Sequence, residues 1–283
     1  MQESMKKKRQ KRDMTSIILR YAVRMSAVVI FGTLFLLIGY IVFMGVPHLT
    51  PSLFALEYTS DNVSMLPSII NTVIITIISL ALAVPLGIAS AIYLVEYAKR
   101  GNKVVKWVRL TSETLTGIPS IVYGLFGMLF FVTTLGWGMS LLAGAFTLAI
   151  MILPVIMRTT EEALLSVPDS YREGSFGLGA GRLRTVFRIV LPAAVPGILS
   201  GIVLSVGRIV GESAALIFTA STATELPKNL MSSGRTMAVH MYAISSEGFN
   251  TDKAYATAVV LLVIVVGINA ISALLAKRIG CNN

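Results

Sequence analysis

Cysteine is almost absent from this sequence of 283 residues: Cys281 is the single one, so an internal disulfide is excluded. Charge is scarce too, since Asp, Glu, Lys and Arg make up 13% of the chain, against about 25% in ordinary soluble domains. The two histidines, His48 and His240, have no cysteine or second histidine at ligand spacing, so no metal site is predicted. With so little charge and 55% hydrophobic residues, the chain is predicted to be a membrane protein with several spans.

Several nucleotide-binding and catalytic patterns are missing as well. The sequence has no G-x-x-x-x-G-K-[ST] loop, so the chain itself is not predicted to bind ATP. It has no H-E-x-x-H, no nucleophile elbow and no clustered carboxylates, which disfavours an enzyme acting within the membrane.

Long runs without charge predict six membrane-spanning helices, so the expected fold class is an all-α membrane protein. The longest run holds two spans, divided by a tight turn at Thr133–Gly138. Residues 96–113 are expected to form a short basic loop, and residues 47–65 and 221–253 two outside loops. The predicted spans are Met25–Val46, Leu66–Val95, the two halves of Thr114–Met157, Ala193–Ala220 and Ala254–Ala276.

The positions of the basic residues predict the orientation of these spans. All but four of the 24 Lys and Arg residues fall in the head, the tail and the two loops assigned to the cytosol, 96–113 and 158–192. The other four are Arg208, within a span, and Lys228, Arg235 and Lys253, in the outside loops. Such a bias towards one side is typical of cytosolic segments. Both termini are therefore predicted to be cytosolic, with a basic head that is disordered up to about Asp13.

A polar stretch, Asp169–Pro192, lies between two apolar runs on the predicted cytosolic side. Ser170 and Glu173 have the spacing of a capping box, so a short helix is expected from Tyr171. The glycines at 177, 179 and 181 predict a turn. A second short helix is expected over 182–190. A helix, a turn and a helix at the cytosolic face have the form of a docking knob.

The spacing within this stretch is more specific than its shape. Glu173-Gly174-Ser175 is followed after three residues by Gly179, and after nine more by Ile189-x-Leu191-Pro192. This resembles the EAA loop of ABC-importer permeases, with small residues at 174 and 175 where the family has alanine. The alternative is an ordinary connection between two spans. The resemblance implies an ABC type I importer permease fold whose coupling helix inserts into a cytosolic ATPase through Ser170, Glu173, Gly174, Ser175, Phe176, Gly179, Ile189, Leu191 and Pro192.

Two opposite charges in the fifth span are the main candidates for a transport path. Arg208 lies near the middle of the span, and Glu212 follows one helical turn later on the same face. A charge there must face a partner or water. One interpretation is a mutually neutralising pair that holds the bundle together. The other is that Arg208 lines a path for an oxyanion, which its planar fork can bind through two hydrogen bonds.

Three short segments resemble the phosphate-importer permeases: Gly207–Ala214, Arg158–Glu161, and Gly117–Ser120 followed by Tyr123-Gly124. The resemblance covers most of residues 66–277. It implies that Arg208 and Glu212 lie in the path and that Arg158 lies at its cytosolic mouth, although Arg158 also fits a simple anchor at a span end. Ser120 and Tyr123 are further candidates for the path.

The charge pattern and the resemblance together divide the chain into a basic cytosolic segment (1–24), a first span with its outside loop (25–65), a permease domain (66–277) and a cytosolic tail (278–283). It implies the permease subunit of an ATP-driven phosphate importer in the cytoplasmic (inner) membrane of a prokaryote. The implied partners are a sister permease subunit in a heterodimer, two copies of an ATPase that hold ATP and Mg²⁺, and an extracytoplasmic phosphate-binding protein. No cofactor is expected in this chain. A permease for molybdate or sulfate, and an ion-coupled carrier or anion channel, are the alternatives.

Overall fold

The structure is a computed structural model that describes residues 14–99 and 101–281. The basic head up to Asp13, Arg100 and the last two residues of the tail lie outside these ranges. The described residues form helices joined by turns. The helices are α1 Met14–Gly45, α2 Leu66–Ile92, α3 Lys103–Thr116, α4 Ser120–Gly127, α5 Leu141–Leu165, α6 Asp169–Gly177, α7 Arg182–Thr185, α8 Leu191–Val210, α9 Ala214–Thr219, α10 Met237–Glu247 and α11 Thr251–Cys281.

Three segments of wider π-helical backbone extend these helices without a break. Tyr93–Tyr97 continues α2, Met128–Thr134 continues α4, and Val186–Val190 joins α7 to α8. Within the described residues, five helical segments are long and apolar enough to cross a membrane. The pair α3 and α4, which is bent by 100°, contains a sixth span, which is the third in chain order. The all-α membrane fold is therefore confirmed.

The centre of the bundle is α5, which packs against α2 on one side and α8 on the other. Its apolar side chains Leu148, Ile152 and Ile156 are completely buried. Polar groups in this layer find partners across the helices: the Ser79 hydroxyl of α2 donates to the Ala145 carbonyl at 2.9 Å. By contrast, α1 is exposed along most of its length and packs mainly on α11. Lipid is the solvent that suits such an apolar surface.

The prediction of a basic loop over 96–113 is wrong, because most of it forms the helix α3. Its Asn102 side chain accepts a hydrogen bond from the Val104 amide at 2.9 Å and caps the first turn. The third span accordingly begins at Ser120, after a sharp turn at 117–119, rather than at Thr114. The lysines and arginines of α3 conceal a helical apolar stripe between them.

Two further segments contain more helix than predicted. The predicted outside loop 221–253 contains α10, whose residues Met237, Val239 and Ile244 are buried against neighbouring helices. Gly248 ends this helix in the left-handed conformation at φ +74. The first helix begins at Met14, well before the predicted Met25.

The exposed apolar stripe of α3 leads to a test of its position at the membrane surface. Val104, Trp107 and Leu110 are more than half exposed on a helix that also carries lysines, a pattern typical of interfacial helices. We expect Trp107 fluorescence, isolated in Trp137→Phe, to be quenched by lipids brominated near the headgroup and only weakly by aqueous iodide.

The other single-tryptophan protein, Trp107→Phe, is the control. Its Trp137 ring is half-buried between Phe131 and Phe146, with ring centroids 5.3 Å away in both cases, so brominated lipid should quench it less. Strong iodide quenching of Trp107 together with no effect of brominated lipid would contradict the interfacial position.

Candidate functional site

The predicted fifth span is interrupted at the point where its two charges lie. Helix α8 ends at Val210, and the short helix α9 begins at Ala214. Arg208 is therefore in the last turn of α8, not in the middle of a continuous helix. A cation in that position is stabilised by the unpaired carbonyls and the negative end of the helix dipole.

Glu212 lies in the break and caps the next helix. One of its carboxylate oxygens, Oε1, accepts a hydrogen bond from the Ala215 amide at 3.1 Å, and the residue is only 9% exposed. A carboxylate at a helix N-terminus is stabilised by the free amides there. Within the described residues, no carboxylate lies within 4.0 Å of the half-buried Arg208 guanidinium. The prediction that the two charges share one helix face is wrong. The interpretation that they form a mutually neutralising pair is wrong as well.

The second segment of the candidate path, around Tyr123, packs directly against this break. Gly124 of α4 touches α9 so closely that a Cβ atom there would lie 2.7 Å from the Ala215 Cα. Tyr123 is close enough to Arg208 for an electrostatic interaction. Its hydroxyl donates to the Leu115 carbonyl at 2.8 Å and so closes the bend between α3 and α4. Ser120, half-buried, is the first residue of α4.

A largely apolar cavity of about 370 Å³ opens beside the break. Gly211 and Ser213 line it, together with Tyr242 of α10 and Tyr255 of α11. Neither Arg208 nor Glu212 contributes to its lining. The charged groups are thus near each other in the chain but are not gathered around one cavity in this conformation.

Arg158 belongs to a separate cluster of charges between α3 and α5. Its guanidinium lies 3.1 Å from Glu162 and 3.7 Å from Glu113, and Arg109 lies 2.5 Å from Glu161. Most of these side chains are about half exposed, so each pair contributes little stability on its own. The expected place of Arg158 at the mouth of the path stays a prediction.

The predicted helix, turn and helix of the knob are confirmed in α6, Gly179 and α7. Gly179 has φ +81, a conformation that favours glycine, which explains the glycine at this position of the motif. The capping box is wrong: α6 begins at Asp169, directly after Pro168, and no side chain caps its first turn. Ser175 is buried and hydrogen-bonded to Thr185 of α7 at 2.8 Å, so a small residue is needed where the two helices meet.

The remaining motif residues divide into an exposed surface and a connection to α8. Ser170, Glu173, Gly174 and Phe176 are exposed, as is Gly179. Ile189, Leu191 and Pro192 are half-buried where the wide turn Val186–Val190 enters α8. Pro192 has no amide to donate to the preceding turn, which suits that wider geometry. The exposed apolar side chains of the knob are Tyr171, Phe176, Leu178, Leu183 and Phe187.

One residue that sequence reasoning missed, Arg172, fastens the knob to the membrane helices. Its guanidinium donates to Glu96 Oε1 at 2.7 and 3.1 Å, and to the carbonyls of Leu164 and Val167 at 2.9 and 2.8 Å. The side chains of Arg172 and Glu96 are 14% and 8% exposed. Arg172 therefore ties α6 to the ends of both α2 and α5. The sequence shows Arg172 beside Glu173, but it does not show the partner, because Glu96 lies 76 positions away.

The profile of the binding-protein-dependent transport system inner membrane component family matches residues 83–280. The chain belongs to this family.

Curated relatives include a probable ABC transporter permease protein, YqgI, of Bacillus subtilis, which is 37% identical over 195 residues, or 64% of this chain and 66% of the relative. The phosphate transport system permease protein PstA 1 of Mycobacterium tuberculosis is 44% identical over 140 residues, or 50% of this chain and 45% of the relative. The matched stretches thus span about half to two thirds of the length of these relatives.

Solved structures support the same fold. A bacterial ABC transporter involved in the import of the acidic polysaccharide alginate has a chain that matches with a TM-score of 0.66 and 16% identity, covering 94% of this chain and 98% of that one. An inward-facing MetNI methionine ABC transporter matches with a TM-score of 0.61 and 20% identity, covering 75% of this chain and 93% of that one. The predicted ABC type I importer permease fold is confirmed.

Removing the Arg172 guanidinium is expected to loosen α6. Breaking one partner of a buried ion pair costs about 3–5 kcal/mol. In Arg172→Met we therefore expect amide hydrogen exchange across Asp169–Gly177 to accelerate by at least about tenfold. Hydrogen-exchange mass spectrometry measures this, and Arg184→Met, which removes an exposed cation of α7, is the matched control. Equal exchange rates in the two variants would contradict the anchoring role.

Proposed function

We propose that this chain is the permease subunit of an ATP-driven importer of inorganic phosphate. The relatives named as phosphate transport system permeases support the substrate, and the family supports dependence on a binding protein. The observation that carries the proposal is Arg208, a cation within the membrane core that has no carboxylate partner in the described part of the chain. Its charge is available to an anion.

In the proposed path, the break between α8 and α9 provides the groups that meet phosphate. The Arg208 fork donates two hydrogen bonds to phosphate oxygens. Glu212, held at the start of α9, accepts a hydrogen bond from a protonated phosphate oxygen, which sulfate lacks at neutral pH. Tyr123 and Ser120, on the adjoining α4, line the path on the same side as the break. Because one bundle supplies one such half-site, a sister permease supplies the other half in a heterodimer.

In the proposed coupling, the knob formed by α6, Gly179 and α7 docks into a cytosolic ATPase through its exposed apolar side chains. Two ATPase copies bind ATP and Mg²⁺, and this chain needs no cofactor of its own. Motion of the knob passes through Arg172 to α2 and α5, and through Ile189, Leu191 and Pro192 to α8. That route leads from the ATPase to the break that holds Arg208.

The rest of the proposal concerns orientation and the outer partner. Both termini and the knob face the cytosol, in the cytoplasmic membrane of a prokaryote, with Arg158 at the inner mouth of the path. The outer segment 221–253 receives the extracytoplasmic phosphate-binding protein. The four parts of the chain keep the bounds given in the sequence analysis.

Loss of the Arg208 charge is expected to impair phosphate uptake. A hydrogen bond to a charged group contributes about 1.5–3 kcal/mol, so Arg208→Met should lower uptake about 10- to 150-fold. Uptake of labelled phosphate into proteoliposomes holding the complete transporter, with binding protein and ATP, measures this. Lys228→Met, which removes an exposed cation of the outer segment, is the matched control.

The same assay distinguishes the alternatives. Uptake of molybdate or sulfate in place of phosphate would make the chain a permease for another oxyanion. Phosphate uptake that needs no ATP would favour an ion-coupled carrier. Normal uptake by an assembled Arg208→Met transporter would remove Arg208 from the path.

A charge on the exposed surface of the knob is expected to release the ATPase. Leu178 is 92% exposed, so Leu178→Asp disturbs no contact within the chain while placing a carboxylate in an apolar interface. We expect co-purification of the ATPase to fall at least about tenfold, as for a lost interface hot spot. Phe249→Asp, at a position that is 90% exposed in the outer segment, is the matched control. If both variants retain the ATPase equally, the knob is not the docking element.

A further inference from the structure

Buried polar atoms without a partner are concentrated at one place in the outer part of the molecule. Seven such side-chain atoms occur in the described residues, and six belong to one group of four neighbouring side chains. Asn71, Arg235, Thr236 and His240 are each at most 4% exposed. The six atoms are Asn71 Oδ1, Arg235 Nε and Nη2, Thr236 Oγ1, and His240 Nδ1 and Nε2. Leaving buried polar atoms unpaired is costly, so such a concentration indicates a missing ligand.

Arg235 is the centre of this group. Its backbone is fixed, because the Asn71 side-chain amide donates to the Arg235 carbonyl at 3.1 Å and the Arg235 amide donates to Ala223 at 3.0 Å. The guanidinium lies 4.7 Å from the centre of the Tyr58 ring. A ring face attracts the cation but leaves its in-plane N–H groups free. Nε and Nη2 form one edge of the guanidinium, which is the edge that holds an anion through two parallel hydrogen bonds.

The charge of Arg235 has no ion-pair partner among the described residues. No carboxylate lies within 4.0 Å of its guanidinium in the described part of the chain. Thr236 is the N-cap of α10, so the positive end of that helix adds to the field. Burial, and secondarily the Arg235 charge, lower the pKa of His240 to about 3, and a hydrogen-bonding interaction of its ring with the Val63 backbone offsets this only in part. His240 is therefore neutral, and its single ring N–H, which also lies near the Val63 backbone, is the one donor that it can offer a ligand.

Water alone does not account for this arrangement. Ordered water can satisfy Asn71, Thr236 and His240, but it cannot neutralise a buried cation. The packing here is also tight: a Cβ atom on Gly234 would lie 2.6 Å from the Asn71 side-chain nitrogen. A small ion fits such surroundings better than a tetrahedral oxyanion.

We propose that Arg235, Thr236 and His240 form a buried binding site for a small inorganic anion of the size of chloride. Nε and Nη2 of Arg235 hold the ion side-on, and the Thr236 hydroxyl and a His240 ring N–H complete its coordination. The site joins the outer end of α2 to α10, since Asn71 and Thr72 of α2 contact the backbone at Arg235 and Met237. The bound anion thereby stabilises the outer segment. This inference does not depend on the nature of the transported substrate.

The test uses the purified full-length chain and chloride itself as the probe. Thermal unfolding is followed at constant ionic strength while chloride replaces gluconate. We expect the unfolding midpoint to rise by at least about 2 °C and to saturate, with bromide acting like chloride. Arg235→Met should abolish the dependence on chloride, and Lys228→Met, in the same outer segment, should retain it.

A second measurement keeps the proposal testable if Arg235→Met fails to fold. Crystals of the unaltered protein grown with bromide should show an anomalous peak within hydrogen-bonding distance of Arg235 Nε or Nη2. The proposal is overturned by equal midpoints in chloride and gluconate, by a chloride dependence that survives in Arg235→Met, or by the absence of the bromide peak. Stabilisation that depends on Arg235 and is produced by phosphate but not chloride would also overturn it, by assigning the site to an oxyanion.

Discussion

Charged side chains within the membrane-spanning helices must be kept away from lipid, and this requirement determines the structure at the centre of the molecule. Arg208 and Glu212 satisfy that need separately, because each lies at a helix end whose partial charge is opposite to its own. This solution requires a break in the fifth span, because a continuous helix offers neither free carbonyls nor free amides in its middle. The break in turn requires a neighbour that can approach closely, and Gly124 of α4 provides it. The positions of both charges and the packing of α4 therefore depend on the three residues between α8 and α9.

The second constraint is mechanical. A knob outside the membrane can act on helices within it only through a stiff connection. Arg172 provides one, since its guanidinium makes two hydrogen bonds to Glu96, in the extension of α2, and two to carbonyls at the end of α5. It cannot shift relative to one helix without straining its bonds to the other. The wide turn Val186–Val190 provides the other, because it runs into α8 without an intervening loop.

Sequence reasoning succeeded where one local rule decides the outcome. Glycine spacing predicted the turn at Gly179, and charge-free length predicted most spans. It failed where two local rules compete or where a distant partner decides. Pro168 starts α6 in place of the Ser170 cap, and the charges of α3 concealed its helical apolar stripe. Glu212 could not be placed, since an i, i+4 spacing presumes a helix that Gly211 ends. The bond between Glu96 and Arg172 has no local signal in either segment.

Arg208 and Arg235 show how differently one chain can treat two buried cations. Arg208 is half-buried at a negative helix end, so its charge is already partly balanced and its fork can bind and release an anion without leaving an uncompensated charge behind. Arg235 is 4% exposed and lies just before a positive helix end, so losing an anion there would leave a cation in a field of its own sign. A transport path requires a ligand that binds and dissociates, whereas a structural site requires a ligand that stays bound. The first arginine therefore suits a path and the second a permanent site, although the two residues are chemically identical.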